Sequence, residues 1–251
     1  MSGEGQAIVL VHGTPLNRRS WRGVVDLIAG QGRTVTYDVR GHGSAEATPL
    51  PSSYSRLAAD LERVLDAIGV ERAHLVGHSF GGQIVARFAH EHPERLASVM
   101  TVCSRLTPYP PFAAAAAAVG EGRMGEIGEA AIARWFSGRD CAALRYARDC
   151  LARADPLAFA TALRMISTFD AGETLSSLPV PLLIIAASRD AIVTAPELRS
   201  RAAAARTGSF VLVPEAGHML PLEDPTTLAE LLRDVITRPA SRSDSNAGSR
   251  F

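Results

Sequence analysis

The stretch Gly77-His78-Ser79-Phe80-Gly81 constrains this 251-residue chain more than any other. It fits the pattern G-x-S-x-G, in which a serine occupies a sharp turn between a strand and a helix, flanked by glycines. A Cβ at either glycine position would collide with the neighbouring element, and the turn holds the serine in a conformation that ordinary residues avoid. The surroundings supply what such a turn requires. Residues 73–76 form a continuous apolar run, the mark of a buried strand, and after Gly82 the apolar residues Ile84, Val85, Phe88 and Ala89 recur at helical spacing until His92-Pro93. Strand, turn and helix in that order would lift the Ser79 hydroxyl above a sheet.

The rest of the chain alternates in the same way. A β-branched apolar run at 7–11 leads into His12-Gly13-Thr14-Pro15. Trp21, Val24, Val25 and Ile28 share one helical face, with Ser20 as the expected N-cap. Residues 34–39 read as a strand that ends at Asp38, ahead of the glycine turn Arg40-Gly41-His42-Gly43-Ser44. Leu57, Leu61, Val64, Leu65 and Ile68 mark a second helix, which Gly69 ends. Strands at 97–103, 180–187 and 210–213, a helix at 196–205 and a closing helix capped by Asp224-Pro225 complete the pattern. This predicts an α/β fold with a doubly wound, mostly parallel sheet.

Between residues 106 and 178 the alternation stops. Thr107-Pro-Tyr-Pro-Pro111, six alanines at 113–118 and helical patterns at 127–136, 141–152 and 156–168 follow one another. Alanine has the highest helix propensity, so the alanine run reads as helix. The expected division is a core at 1–105 and 179–238, a helical cap at 106–178, and a disordered Ser- and Arg-rich tail at 239–251.

Ser79, Asp190 and His218 each follow an expected strand, so in a parallel sheet they gather at its carboxyl edge, where open α/β sheets bind ligands. Their chemistry assigns the roles. A serine hydroxyl is a poor nucleophile at neutral pH, so His218 would take its proton and return it to the leaving group. Asp190 would fix the imidazole tautomer and stabilise the imidazolium.

Composition removes other classes. Acidic and basic residues balance at 26 each, which gives no electrostatic case for nucleic acid or an anionic membrane. Every basic residue is Arg, so lysine Schiff-base chemistry is excluded. Cys103, Cys141 and Cys150 form no C-x-x-C pair, no metal-ligand cluster or cofactor fingerprint is present, and no secretory signal or membrane span is seen. A cytoplasmic protein without cofactor or metal is expected.

With His12-Gly13, the Ser79 turn, Asp190 and Gly217-His218 in this order, the chain resembles the α/β-hydrolases along nearly its whole length. Ile132-Ala-Arg-Trp-Phe136 and Cys150-Leu-Ala-Arg-Ala-Asp-Pro-Leu-Ala-Phe159 resemble the cap of 3-oxoadipate enol-lactonases and their esterase and lactonase relatives. Those relatives usually begin with a β-hairpin, whereas six residues precede the first strand here, so a sheet of about six strands is expected. The resemblance implies a serine hydrolase that cleaves a small carboxylic ester or (enol-)lactone through an acyl-enzyme on Ser79. The backbone N–H groups of Thr14 and Phe80 would form its oxyanion hole; Pro15 has no N–H to offer.

Serine rather than aspartate in the turn sets aside the epoxide hydrolase and dehalogenase branches. A cofactor-free lyase or carbon–carbon hydrolase with the same triad, and a low-turnover ligand receptor, are the alternatives. Arg134, Trp135 and Met219 are the candidate substrate-binding residues, with Arg134 pairing a substrate carboxylate. The competing reading packs Ile132, Trp135 and Phe136 in the cap and leaves Arg134 in solvent. His12, His42, His74, His78, His90 and His92 read as packing or surface residues. The expected partner is a small molecule, the assembly a monomer or homodimer, with an uncovered first strand as sheet edge.

Overall fold

The computed structural model describes residues 5–136 and 141–237. The tail expected at 239–251 lies outside the described residues. Six strands, β1 Ala7–Val11, β2 Arg33–Tyr37, β3 Ala73–His78, β4 Leu96–Val102, β5 Leu182–Ala187 and β6 Gly208–Val213, form one sheet in the order β2-β1-β3-β4-β5-β6. Every pairing is parallel. Val11 lies beside Gly77, His78 beside Val102, Val102 beside Ile185 and Ala187 beside Val213, so the carboxyl ends finish on one edge. The expectation of an uncovered first strand as sheet edge is corrected here: β1 lies between β2 and β3, and the edges of the described sheet are β2 and β6.

The continuous apolar strands follow from burial on both faces. Val9 and Val11 of β1 face a cluster with Leu57, Leu61, Ile84 and Phe88, carried by α2 Tyr54–Ala67 and α3 Phe80–Glu91. Ile8 and Leu10 face Trp21, Val24, Leu228 and Leu232, the last two on the closing helix Pro225–Thr237. The first helix, α1 Arg22–Leu27, is preceded by a 3₁₀ turn at Arg18–Trp21, and here the sequence reading needs correcting. Asn17, not Ser20, caps this segment, since its side chain accepts from the Arg19 N–H while Ser20 is buried.

Five helices lie between β4 and β5: α4 Pro111–Gly120, α5 Met124–Trp135, α6 Ala142–Arg153, α7 Pro156–Thr168 and the short α8 Gly172–Ser176. The alanine run forms α4. α4 to α7 share an apolar cluster with Ile132, Trp135, Phe136, Leu144, Phe159 and Leu163, which Leu16 and Met219 join from the sheet side. After β5 come α9 Ala195–Ala204, α10 Leu220–Glu223 and α11 Pro225–Thr237. Asp224 caps α11 through the Thr227 N–H, with Pro225 in the first turn.

Buried histidines tie the loops of the carboxyl edge to the sheet. His12 accepts from the Val39 N–H at Nε2 and donates from Nδ1 to the Gly13 carbonyl. His42 contacts the Arg40 carbonyl through Nδ1 and the Thr14 hydroxyl through Nε2, and His78 donates from Nε2 to the His218 carbonyl. His74 meets Ser98 inside the sheet. Each of these pairings fits a neutral ring. Burial, reinforced by the neighbouring His42 and His218 respectively, pushes His12 and His78 down to about 3. Burial takes His74 down to about 4 and also lowers His42.

These groups bind protons more readily in the unfolded chain, so their stabilising effect is complete above the unfolded value near 6.5 and drains away as pH falls. Each contributes a slope of about 1.4 kcal/mol per pH unit between that value and its folded pKa. The melting temperature should therefore stay level near neutrality and drop steeply between about pH 6.5 and 4.5. A melting profile that remains flat down to pH 5 would contradict the neutral, buried state of these rings.

Candidate active site

Ser79 sits between β3 and α3 at φ 50° and ψ −116°, in the left-handed region that non-glycine residues avoid. Its N–H donates to the Val102 carbonyl at 2.9 Å, which continues the β3–β4 ladder. The glycines around it are obligatory. A Cβ on Gly77 would lie 2.3 Å from the Gly81 carbonyl oxygen, and one on Gly81 would lie 2.2 Å from that of Val11. Both obstacles are backbone, so neither can swing away. Phe80 opens α3, so its N–H has no carbonyl partner within the helix.

His218 and Asp190 reach the serine from the loops after β6 and β5. His218 Nε2 lies 3.0 Å from Ser79 Oγ, and Nδ1 lies 2.9 Å from Asp190 Oδ2. An ionised carboxylate only accepts, so the ring proton sits on Nδ1 and Nε2 is left to accept from the serine hydroxyl. Both side chains are almost wholly buried, at 2% and 1% exposure. Burial alone would raise the Asp190 carboxyl; His218 beside it and the N–H groups of Ile192 and Val193 outweigh that and hold it below the usual carboxylate value. The Asp190 carboxylate therefore stands ionised and oriented against the imidazole.

The loop after β1 packs against the serine. A Cβ on Gly13 would lie 3.0 Å from both Ser79 Cβ and His78 Nδ1, so glycine permits the approach. Thr14 follows, with its hydroxyl engaged by His42 at 2.8 Å. Thr14, Ser79, Phe80 and His218 line one side of a cavity of about 390 Å³. The rest of its wall is mainly apolar. Phe112, Ala115 and Ala118 come from α4, Ile127, Ala131 and Trp135 from α5, Phe159, Leu163 and Ile166 from α7, and Ile192 and Val193 from the loop after β5.

Of the three substrate-binding candidates, the structure brings two to this cavity. Trp135 is buried in its wall, and Arg134 is an exposed residue lining it. Met219 is not among the described lining residues; it is buried in the cluster of the inserted helices, because it leads directly into α10. Arg105 and Arg123 also line the cavity, the first paired with Glu197 and the second with Glu121 and Glu126. Among the described residues Arg134 has no ion-pair partner, and no Asp or Glu lines the cavity. Sequence reasoning missed Gln83, which lines the cavity and donates to the Arg105 carbonyl, and the His78 contact with the His218 backbone. Neither leaves a periodic signal. Among the described residues no group of three His, Cys, Asp or Glu side chains is placed to hold a metal ion, and no helix is long and apolar enough to cross a membrane.

Comparison with known proteins agrees with this architecture. The profile of the alpha/beta hydrolase family matches residues 8–231. The chain is 28% identical over 235 residues to 3-oxoadipate enol-lactonase 1 of Acinetobacter baylyi, covering 90% of this chain and 86% of that protein. The structure of a thermophilic esterase from Thermogutta terrifontis, solved with malate bound, superposes with a TM-score of 0.84 at 29% identity over 94% of this chain and 92% of that one. The enol-lactonase from Burkholderia xenovorans shares the fold with a TM-score of 0.88 at 24% identity over 94% and 95% of the two chains. The chain belongs to the alpha/beta hydrolase family, and it is a hydrolase with a six-stranded form of that fold.

Proposed function

We propose that this hydrolase cleaves a carboxylic ester or lactone of a small molecule through an acyl-enzyme on Ser79. The observation that carries this reading is the hydrogen-bonded line Ser79–His218–Asp190 opening on a mainly apolar cavity of about 390 Å³. In the first half of the reaction Ser79 Oγ attacks the carbonyl carbon while its proton passes to His218 Nε2. The carbonyl π electrons move to oxygen, and the resulting oxyanion is held by the N–H groups of Thr14 and Phe80. One such donor is worth about 3 to 4 kcal/mol in the transition state. Collapse of the intermediate expels the alkoxide, which takes the proton from His218. In a lactone that alkoxide remains attached to the acyl group. Water then repeats the attack with His218 as base, releasing the acid and restoring Ser79. Asp190 keeps the Nδ1 proton in place and stabilises the imidazolium formed in each half.

The helices at 106–178 act in this reading as a cap between the two core segments, and their apolar wall seats the body of the substrate. Arg134 sits at that wall without an ion-pair partner among the described residues, which supports recognition of a carboxylate on the substrate. The names of two similar proteins, an enol-lactonase and an esterase, are consistent with ester or lactone cleavage.

Ser79→Ala and His218→Ala should each abolish nearly all hydrolysis, and the double variant should be little worse than either, because such groups act as a unit. Retention of more than about a tenth of kcat by Ser79→Ala, measured on the best ester found, contradicts the nucleophile. A charge-assisted hydrogen bond contributes about 1.5 to 3 kcal/mol, or roughly ten- to a hundred-fold in kcat/KM. Arg134→Ala should lose that factor on an acidic lactone or half-ester and stay within about two-fold on a neutral ester of equal size. Equal effects on both substrates return Arg134 to the solvent.

A further inference from the structure

The geometry points to Glu223 as a positioning residue for His218, a role that rests on His218 being the base in the reading above. His218 belongs to no helix or strand; it lies in the loop between β6 and α10, where regular hydrogen bonding cannot fix it. Its backbone is fixed by side chains and by a distant carbonyl. The Glu223 carboxylate accepts the Gly217 N–H at Oε2, 3.2 Å away, and the Met219 N–H at Oε1, 3.0 Å away. These are the amides on either side of His218. The N–H of His218 itself donates to the Trp135 carbonyl at 3.0 Å, and its carbonyl accepts from His78 at 2.8 Å.

Gly217 makes this arrangement possible. A Cβ there would lie 2.8 Å from Glu223 Oε1 and 2.8 Å from the Trp135 carbonyl oxygen. The carboxylate has two acceptor oxygens for two N–H groups that diverge around one residue, a match that neither an amide nor a hydroxyl reproduces. Charge-assisted bonds of this kind are the stronger ones, so the loop is held where the imidazole reaches both Asp190 and Ser79. Glu223 is not among the described residues lining the cavity, so it acts on the base and not on the substrate.

The test uses the full chain carrying Glu223→Gln or Glu223→Ala. Gln keeps the size and one acceptor but turns an NH₂ donor toward an N–H donor; Ala leaves both amides to water. Displacement of a reacting group by about 1 Å costs on the order of a hundred-fold. Both variants should therefore lose about ten- to a hundred-fold in kcat with KM within about two-fold, at unchanged folded fraction by near-UV circular dichroism. The downfield proton resonance of the His218 Nδ1–H held by Asp190 should shift or broaden in both. Either variant keeping kcat within two-fold of the parent overturns the inference. So does a loss of activity that only follows a loss of folded protein, since that assigns Glu223 to the fold. His218→Ala, measured alongside, separates the two levels: if it stays active the base assignment itself fails, whereas an inactive His218→Ala beside an active Glu223→Gln removes only the positioning role.

Discussion

A steric constraint at the carboxyl edge of the sheet underlies the whole arrangement. Between β3 and α3 the backbone passes so close to itself and to β1 that positions 77 and 81 have room for a hydrogen only, with obstructing carbonyl oxygens 2.3 and 2.2 Å from where a Cβ would stand. That contact turns the chain sharply enough to put Ser79 at φ 50°, a conformation costing about 1 to 3 kcal/mol that the surrounding packing must offset. The parallel register then does the rest. Because Val11, His78, Val102 and Ala187 finish on one edge, the loops carrying Thr14, Asp190 and His218 all emerge beside the serine.

Loops at a sheet edge have no ladder to define them, and here buried side chains take over that task. His12 and His42 serve as two-ended connectors, one nitrogen donating and the other accepting, as His12 does between Gly13 and Val39. His78, immediately before Ser79, reaches across to the His218 backbone, so Ser79 and His218 are joined by more than the hydrogen bond between their side chains. Burial keeps these histidines uncharged, whereas at Asp190 two backbone N–H groups and the adjacent imidazole hold the carboxylate ionised.

The fold was legible in the sequence because its core strands are unbroken apolar runs and its helices carry one-sided apolar faces. Residues 7–11 and 156–168 match the observed β1 and α7, and the glycines of the Ser79 turn announce a contact that only glycine allows. What stayed hidden depends on partners distant in sequence. Ser20 looks like a cap by type, yet the chain enters α1 through a 3₁₀ turn and Asn17 takes the role. Met219, a candidate substrate-binding residue by sequence, stands at the start of α10 and is buried in the apolar cluster of the inserted helices. Glu223 carries no sequence signal of its contact with Gly217 and Met219, since a glutamate at the end of a short helix is ordinarily a solvated charge.

The central claim is that hydrolysis runs through a covalent acyl group on Ser79. Rapid quenching of the enzyme during turnover of a slowly deacylated ester, followed by mass spectrometry of the intact chain and of its peptides, tests it directly. The expected result is a mass increase equal to the acyl group, located on the peptide containing Ser79 and absent from Ser79→Ala. Turnover at the full rate without any adduct, or an adduct that persists in Ser79→Ala, would contradict the account.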